Sequence, residues 1–302
     1  MKKSSKIWLI AATVLLLLGL SIMTWALVLV DWDFTALDTE PVDTNTHEIG
    51  EKIQSISLET GTADIVFVPS EDGACRVVCH ERENLRHSVD VRGGVLEIRE
   101  NDARTWRDHI SFFTFGETKI IVYLPAGDYE RLFLAESTGD VEIPAEFSFE
   151  SLEIEADTGD VTVAASVSGT LKIATNTGDI RVEGASVGAL ELSVTTGDTL
   201  LKDVSCETLR SVGDSGDIFM ENVIAAGEIS VERTTGDVRM KVCDAEEITV
   251  TTDTGDVSGS FCSDKVFFTE TDTGDVFVPN TASGGVCSIT TNTGDITFGI
   301  ES

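Results

Sequence analysis

Beyond residue 130 the apolar residues come in short alternating runs. Leu132 and Leu134, Leu152 and Ile154, Leu171 and Ile173, Leu190 and Leu192, and Ile248 and Val250 form one set. Val141 and Ile143, Val161 and Val163, Ile180 and Val182, Ile218 and Met220, and Val276 and Val278 form a second. A step of two is the strand period, so each run predicts a short strand with one buried face. Helical or leucine-rich repeats need apolar steps of three or four, which these runs lack.

Between the two runs of each pair lies a polar turn of the type Asp157-Thr158-Gly159-Asp160. Its glycines are Gly139, Gly159, Gly178, Gly197, Gly216, Gly236, Gly255, Gly274 and Gly294, always 19 or 20 residues apart. Units this short cannot bury a core alone and must stack. A propeller blade takes about 40 residues, twice what is available. The pattern therefore predicts an all-β, single-stranded parallel β-solenoid, β-helix-like, of about nine coils. At roughly 4.8 Å per coil it would form a right-handed rod roughly 40 Å long.

Within the turn, glycine supplies positive φ, and the Asp, Asn or Thr two positions earlier can bond amides across the turn. The aspartates that follow the glycines, Asp140 through Asp295, would form a column along one edge. Neighbouring charges about 4.8 Å apart repel by only ~0.9 kcal/mol in water, which a backbone hydrogen bond can offset, so a structural turn is the preferred reading. A calcium ladder is the alternative, because Asp253 and Asp256, like Asp272 and Asp275, place two carboxylates on one turn. Calcium asks for six to eight oxygens, and calcium-binding repeats carry a denser Gly-Asp pattern than this one. No other cofactor is expected.

The front of the chain is different. Lys2, Lys3 and Lys6 precede an uncharged run, residues 7–30, that would span roughly 36 Å as a helix. The expected layout is a cytoplasmic stub at 1–6, a transmembrane helix at 7–30, and an acidic linker at 31–50. An irregular β region or cap at 51–130 and the regular solenoid at 131–302 follow. Basic residues before the span and acidic ones after it predict a single-pass cell-membrane protein with its N-terminus in the cytoplasm and its C-terminal domain outside. Thr60-Gly61-Thr62-Ala63-Asp64 looks like a worn copy of the later turn. At the far end, the last coil would leave a strand edge that either is blunted by Glu301 or pairs with a second copy to make a homo-oligomer.

Composition narrows the function. The 302 residues carry 21 basic and 53 acidic side chains, a net charge of −32. Binding nucleic acid relies on neutralising phosphates with Lys and Arg, so it is excluded. A basic ligand suits such a surface better. No nucleophile motif or phosphate-cradling loop is present, and acids this abundant make no particular glycosidase-type pair informative. The chain reads as non-enzymatic, with a calcium-dependent surface-binding module and, behind it, a carbohydrate-active β-helix enzyme as the alternatives.

The span, the opening strands near Ile53, the segment Lys119-Ile120-Ile121-Val122-Tyr123-Leu124-Pro125 and the serial T-G-D-V copies together resemble the bacterial putative-adhesin family, a domain of unknown function in cell-envelope proteins. The resemblance covers roughly residues 50–302. It implies a β-solenoid-like fold at the cell surface and, by the family's name, adhesion; with the span, the repeats and the lack of a catalytic set, the expected role is adhesin-like, scaffolding or envelope-sensing, toward an envelope protein or glycan. It defines no catalytic or binding residues.

Some residues fall outside the repeat. Six cysteines permit disulfides in fifteen connectivities. Cys243 and Cys262, each seven residues after a repeat glycine, read as small buried thiols instead. The four histidines read as surface residues. The stretch from Arg104 to Phe115 concentrates Trp106, Phe112, Phe113 and Phe115, either folded over the solenoid end or exposed as a partner patch.

Overall fold

The computed structural model describes residues 3–29, 42–103 and 118–301. Helix α1 (Lys3–Leu29) precedes the strands. The first seven are β1 (Val42–Ile49), β2 (Ser55–Thr62), β3 (Asp64–Pro69), β4 (Cys75–Arg82), β5 (Leu85–Arg92), β6 (Val95–Asp102) and β7 (Lys119–Leu124). Then come β8 (Gly127–Thr138), β9 (Val141–Ile143), β10 (Phe147–Thr158), β11 (Val161–Val163), β12 (Ser166–Thr177), β13 (Ile180–Glu183), β14 (Ser186–Thr196), β15 (Thr199–Ser215) and β16 (Ile218–Thr235). The last are β17 (Val238–Cys243), β18 (Glu247–Thr254), β19 (Val257–Phe261), β20 (Lys265–Thr273), β21 (Val276–Phe277), β22 (Gly285–Thr293) and β23 (Ile296–Ile300).

The repeats stack as a parallel β-solenoid. Leu132, Leu152, Leu171, Leu190, Leu209, Ile229 and Ile248 pair in unbroken register from coil to coil, and none is more than 1% exposed. Fully burying such a side chain is worth roughly 1.5–3 kcal/mol. A register slip of one residue would turn the whole column to solvent, and this sets the alignment. On the second face Val141, Val161, Ile180, Thr199, Ile218 and Val238 form the matching column.

The coils begin earlier than residue 131. β2 and β3 pair in parallel with β8 and β9 and so form a coil of their own. Its turn is Thr62-Ala63-Asp64: Thr62 pairs with Thr138, and Ala63 takes the glycine position. β6 and β7 extend the same two faces by one more layer. β5, β4 and β1 then close that end with antiparallel pairing. Residues 42–49, read from sequence as linker, are thus an edge strand. Its alternating residues are Asp, Thr, Asn and His, which give no apolar period to detect.

The other end differs from expectation in its order. β18 pairs with β22, and β22 with β20, so the final copy lies between the Gly255 and Gly274 coils. The chain leaves β19, skips one rung, lays down β20 and β21, and returns to fill the gap with β22 and β23. Lys265, 1% exposed, pins the crossing by donating from Nζ to Asp244, to the Ala245 carbonyl at 2.8 Å and to Ser263 Oγ at 3.0 Å. The rings of Phe261 and Phe298 stack at 4.7 Å inside this end, with Phe267 against both. The open edge therefore belongs to β20 and β21, not to the chain's last coil.

One expectation is corrected outright. Among the described residues no helix is long and apolar enough to cross a membrane. The transmembrane helix at 7–30 and the single-pass placement derived from it are not supported.

Candidate functional site

The turns form one straight file, and its chemistry explains why Gly and Asp recur. In the nine glycine turns φ lies between +129° and +154°. A Cβ built on each would lie 1.8–2.2 Å from the carbonyl oxygen of the adjoining turn. No side chain fits there. Every one of these glycines except Gly274, on the terminal coil, donates its N–H to a Thr or Ser carbonyl one coil further on, as Gly159 does to Thr177 at 2.9 Å and Gly197 to Ser215 at 3.0 Å.

The aspartates form a ladder. Asp160 N–H donates to Asp140 Oδ1 at 2.9 Å, Asp179 to Asp160 at 2.8 Å, Asp198 to Asp179 at 2.7 Å and Asp217 to Asp198 at 2.8 Å. The file continues through Asp237, Asp256, Asp295 and Asp275, and it starts at Asp64. A hydrogen bond to a carboxylate contributes about 1.5–3 kcal/mol, more than the ~0.9 kcal/mol of repulsion per step. Two residues before the glycine, where the sequence reading expects a side chain that accepts from amides across the turn, Asn176 and Asn292 donate from Nδ2 to Asp157 and Asp253 of the adjoining coil.

Of the calcium candidates, Asp256 spends one oxygen on this ladder, whereas Asp275 ends it and contributes only its amide, to Asp295. Asp253 and Asp256 lie a full coil away from Asp272 and Asp275, because the Asn292–Asp295 coil intervenes. Trp106, Phe112, Phe113 and Phe115 lie outside the described residues. Beside the file, Glu59, Glu100, Glu155 and Asp157 line an open groove of about 600 Å³ together with Arg99.

The buried polar groups are ones that repeat logic passes over. Glu81 and His87 are 2% and 6% exposed. Glu81 Oε2 accepts from the His87 amide at 2.6 Å and lies 2.9 Å from Nδ1, while Nε2 meets Thr60 Oγ1 at 2.9 Å. Cys79 completes a group of three potential metal donors. Both ring nitrogens are already engaged, so neither presents a lone pair toward the thiol, and burial pushes that thiol up to about 12. The group is a satisfied hydrogen-bond network, and it places His87 in the core rather than at the surface.

Two buried charges are less well served. Arg233 is 2% exposed and donates to Ser211 Oγ at 3.0 Å, Thr199 Oγ1 at 3.1 Å and the Glu232 carbonyl at 3.2 Å, but its Nε has no partner. Ser211 and Thr199 replace apolar residues of their columns, and Gly213 leaves the space that the guanidinium fills. Burial lowers its pKa to about 10. Glu136 is 5% exposed with both oxygens unpartnered; burial first, then Asp140 and Asp64, push it up to about 8.

The six cysteines are all unpaired. Cys243 occupies the buried column position read from the sequence, but Cys262 is exposed. Phe261 pairs with Cys243 in its place, because the chain leaves register there to skip a rung.

The fold and the site define an all-β repeat protein whose recurring motif is spent on stacking. The chain belongs to the Toastrack DUF4097 family, whose profile matches residues 53–299, in keeping with the resemblance to putative adhesins. A putative lipid binding protein from Parabacteroides distasonis is similar at 15% identity and a TM-score of 0.54, over 85% of this chain and 97% of that one. A putative adhesin from Parabacteroides merdae is similar at 14% identity and 0.51, over 86% and 97%. Another, from Parabacteroides distasonis, is similar at 13% identity and 0.50, over 86% and 98%. At such identities the likeness concerns the fold alone. No curated protein matches the chain.

Proposed function

We propose that the chain is a non-enzymatic, adhesin-like binding module: a rigid rod that presents acidic side chains to a basic partner. The observation that carries this reading is the ladder. Every turn aspartate but the terminal Asp275 spends one carboxylate oxygen on a neighbouring amide and turns the other outward, where, among the described residues, only Asp217 and Asp237 meet a cation, Arg239, so a stack of coils becomes a row of fixed negative charge. The acid-lined groove beside the file adds to that field, and a field of one sign favours ligands of the other. Of the buried groups that could suggest chemistry, Glu81 with His87 and Arg233 are held by hydrogen bonds within the fold, and Glu136, beside the groove, stands without a nucleophile or second acid bonded to it among the described residues.

The test is display of the chain on a non-adherent bacterium and retention under flow on protein- and glycan-coated glass. Retention that falls steeply as salt is added is the expected result. Retention equal to that of an acidic non-repeat control, or turnover of an envelope polysaccharide by the purified chain, would overturn the proposal.

A further inference from the structure

The stack is closed at one end by β1, β4 and β5 and open at the other. β20 pairs only with β22, and β21 only with β23, among the described residues. Deeper in the stack the strands are flanked on both sides.

Three bonds join each turn to the next. At the last completed step Gly294 N–H donates to the Thr273 carbonyl at 3.0 Å, Ile296 N–H donates to the Asp275 carbonyl at 2.9 Å, and Asp275 N–H donates to Asp295 Oδ1 at 2.8 Å. The equivalent atoms of the terminal coil are the N–H of Gly274, the N–H of Val276 and Oδ1 of Asp275. Among the described residues no further coil receives them. They form the half of a parallel ladder that an added strand would complete.

The side chains there also differ from the rest of the rod. Val276 is 40% exposed, whereas Val257 and Ile296 in the same column are 0%. Phe268 and Phe277 are 59% and 63% exposed. Glu270, Asp272 and Asp275 are exposed on the same coil, and its one cation, Lys265, is buried against Asp244.

We propose that this open end is a strand-addition site for an extended segment of a partner protein that alternates apolar and basic residues. The segment runs parallel to β20 and on past the turn to β21, with alternating apolar side chains over Phe267 and Thr269, basic side chains beside Glu270 and Asp272, and a further apolar side chain over Val276 beyond the turn. Its carbonyls accept from Gly274 and Val276, and one of its amides donates to Asp275. A second copy of this chain is the weaker occupant: its own open end brings the same three acids, and its other end is already covered. The inference rests on the binding role proposed above and specifies the partner's chemistry and its place of attachment.

The test is fluorescence anisotropy on the full chain with a labelled peptide that alternates Val and Lys along the length of β20 and continues through a glycine to a further Val opposite Val276. The expected result is saturable binding. It should weaken roughly tenfold or more, the equivalent of about 1.4 kcal/mol, for a Val/Glu peptide, for a backbone N-methylated Val/Lys peptide, and for Val276→Pro, which deletes a donor. Phe277→Lys, on an outward and exposed side chain, should weaken it as much and keeps the test valid if the proline variant fails to fold. Binding that ignores N-methylation and both variants places the peptide elsewhere on the acidic rod; that overturns the end site and leaves the binding role standing. Absence of binding overturns the end site. So does a wild-type dimer in sedimentation that Phe277→Lys dissolves, since the edge would then belong to a second copy.

Discussion

Glu136 provides the sharpest quantitative test. It stands at the inner corner of its coil between Thr60 and Ala156, where other coils place Thr175, Val194 or Thr252 and neither neighbour donates to it. Its pKa is raised from 4.5 to about 8, chiefly by burial and then by Asp140 and Asp64. The folded chain therefore holds this proton more tightly than the unfolded chain does. The resulting stability is fully present below the unfolded pKa and is lost as pH rises through the folded one. At pH 7 the 2.5 units above 4.5, at 1.36 kcal/mol each, amount to about 3 kcal/mol. This is an upper figure. Glu136→Gln removes the titration while keeping shape and polarity. Urea denaturation of both proteins at pH 4.5, 7 and 9 isolates the effect, because the chain's other carboxylates cancel in the difference. The variant should match wild type near pH 4.5 and exceed it by about 2–3 kcal/mol at pH 7, with a larger gap at pH 9. A difference that stays constant across the three pH values would show that Glu136 is not held neutral by its surroundings.

Further outcomes follow from the same geometry. Gly197→Ala sets a Cβ 2.1 Å from the Gly178 carbonyl oxygen and should cost about 4 kcal/mol or more in chemical denaturation, the range of exceptional single substitutions. Val242 is a β-branched residue at φ 54°, so Val242→Gly should raise stability by about 1 kcal/mol once backbone entropy is subtracted. Arg233→Met removes a buried cation that faces no carboxylate and should leave stability unchanged or higher by about 1 kcal/mol; a loss of 3 kcal/mol or more would mean that the bonds to Ser211 and Thr199 outweigh its desolvation. Because every turn carboxylate except that of Asp275 already serves an amide, melting in calcium and melting in chelator should coincide; a shift of several degrees would revive the cation ladder.

What was legible in the sequence was whatever repeated. Gly159 and Asp160 announced their jobs through their period, and Leu152 and Ile154 announced their face through alternation. The exchange of the last two coils was not legible, because Gly274 and Gly294 keep the usual 20-residue spacing. Order in space is a tertiary choice that spacing does not encode. Thr269 in an apolar column and the pair Gly284-Gly285 were the available hints. Glu81 could have been found: Cys75, Val77, Cys79 and Glu81 alternate along β4, so a strict period of two points the acid inward and calls for a partner such as His87. The apolar opening stretch shows the opposite hazard, since its length alone suggested a membrane crossing that no described helix supports.

The central claim is that the turns stand in a single file in which the last copy lies between the two before it. Cysteine cross-linking reads that order directly. Adjacent strands place equivalent Cα atoms about 4.8 Å apart, within disulfide reach, while a separation of two rungs, about 9.6 Å, is beyond it. In a Cys262→Ser background, Asp253→Cys with Asn292→Cys should form a disulfide readily, as the 3.3 Å contact between those side chains implies. Asp253→Cys with Asp272→Cys should not. A bond between the second pair and none between the first would contradict the account.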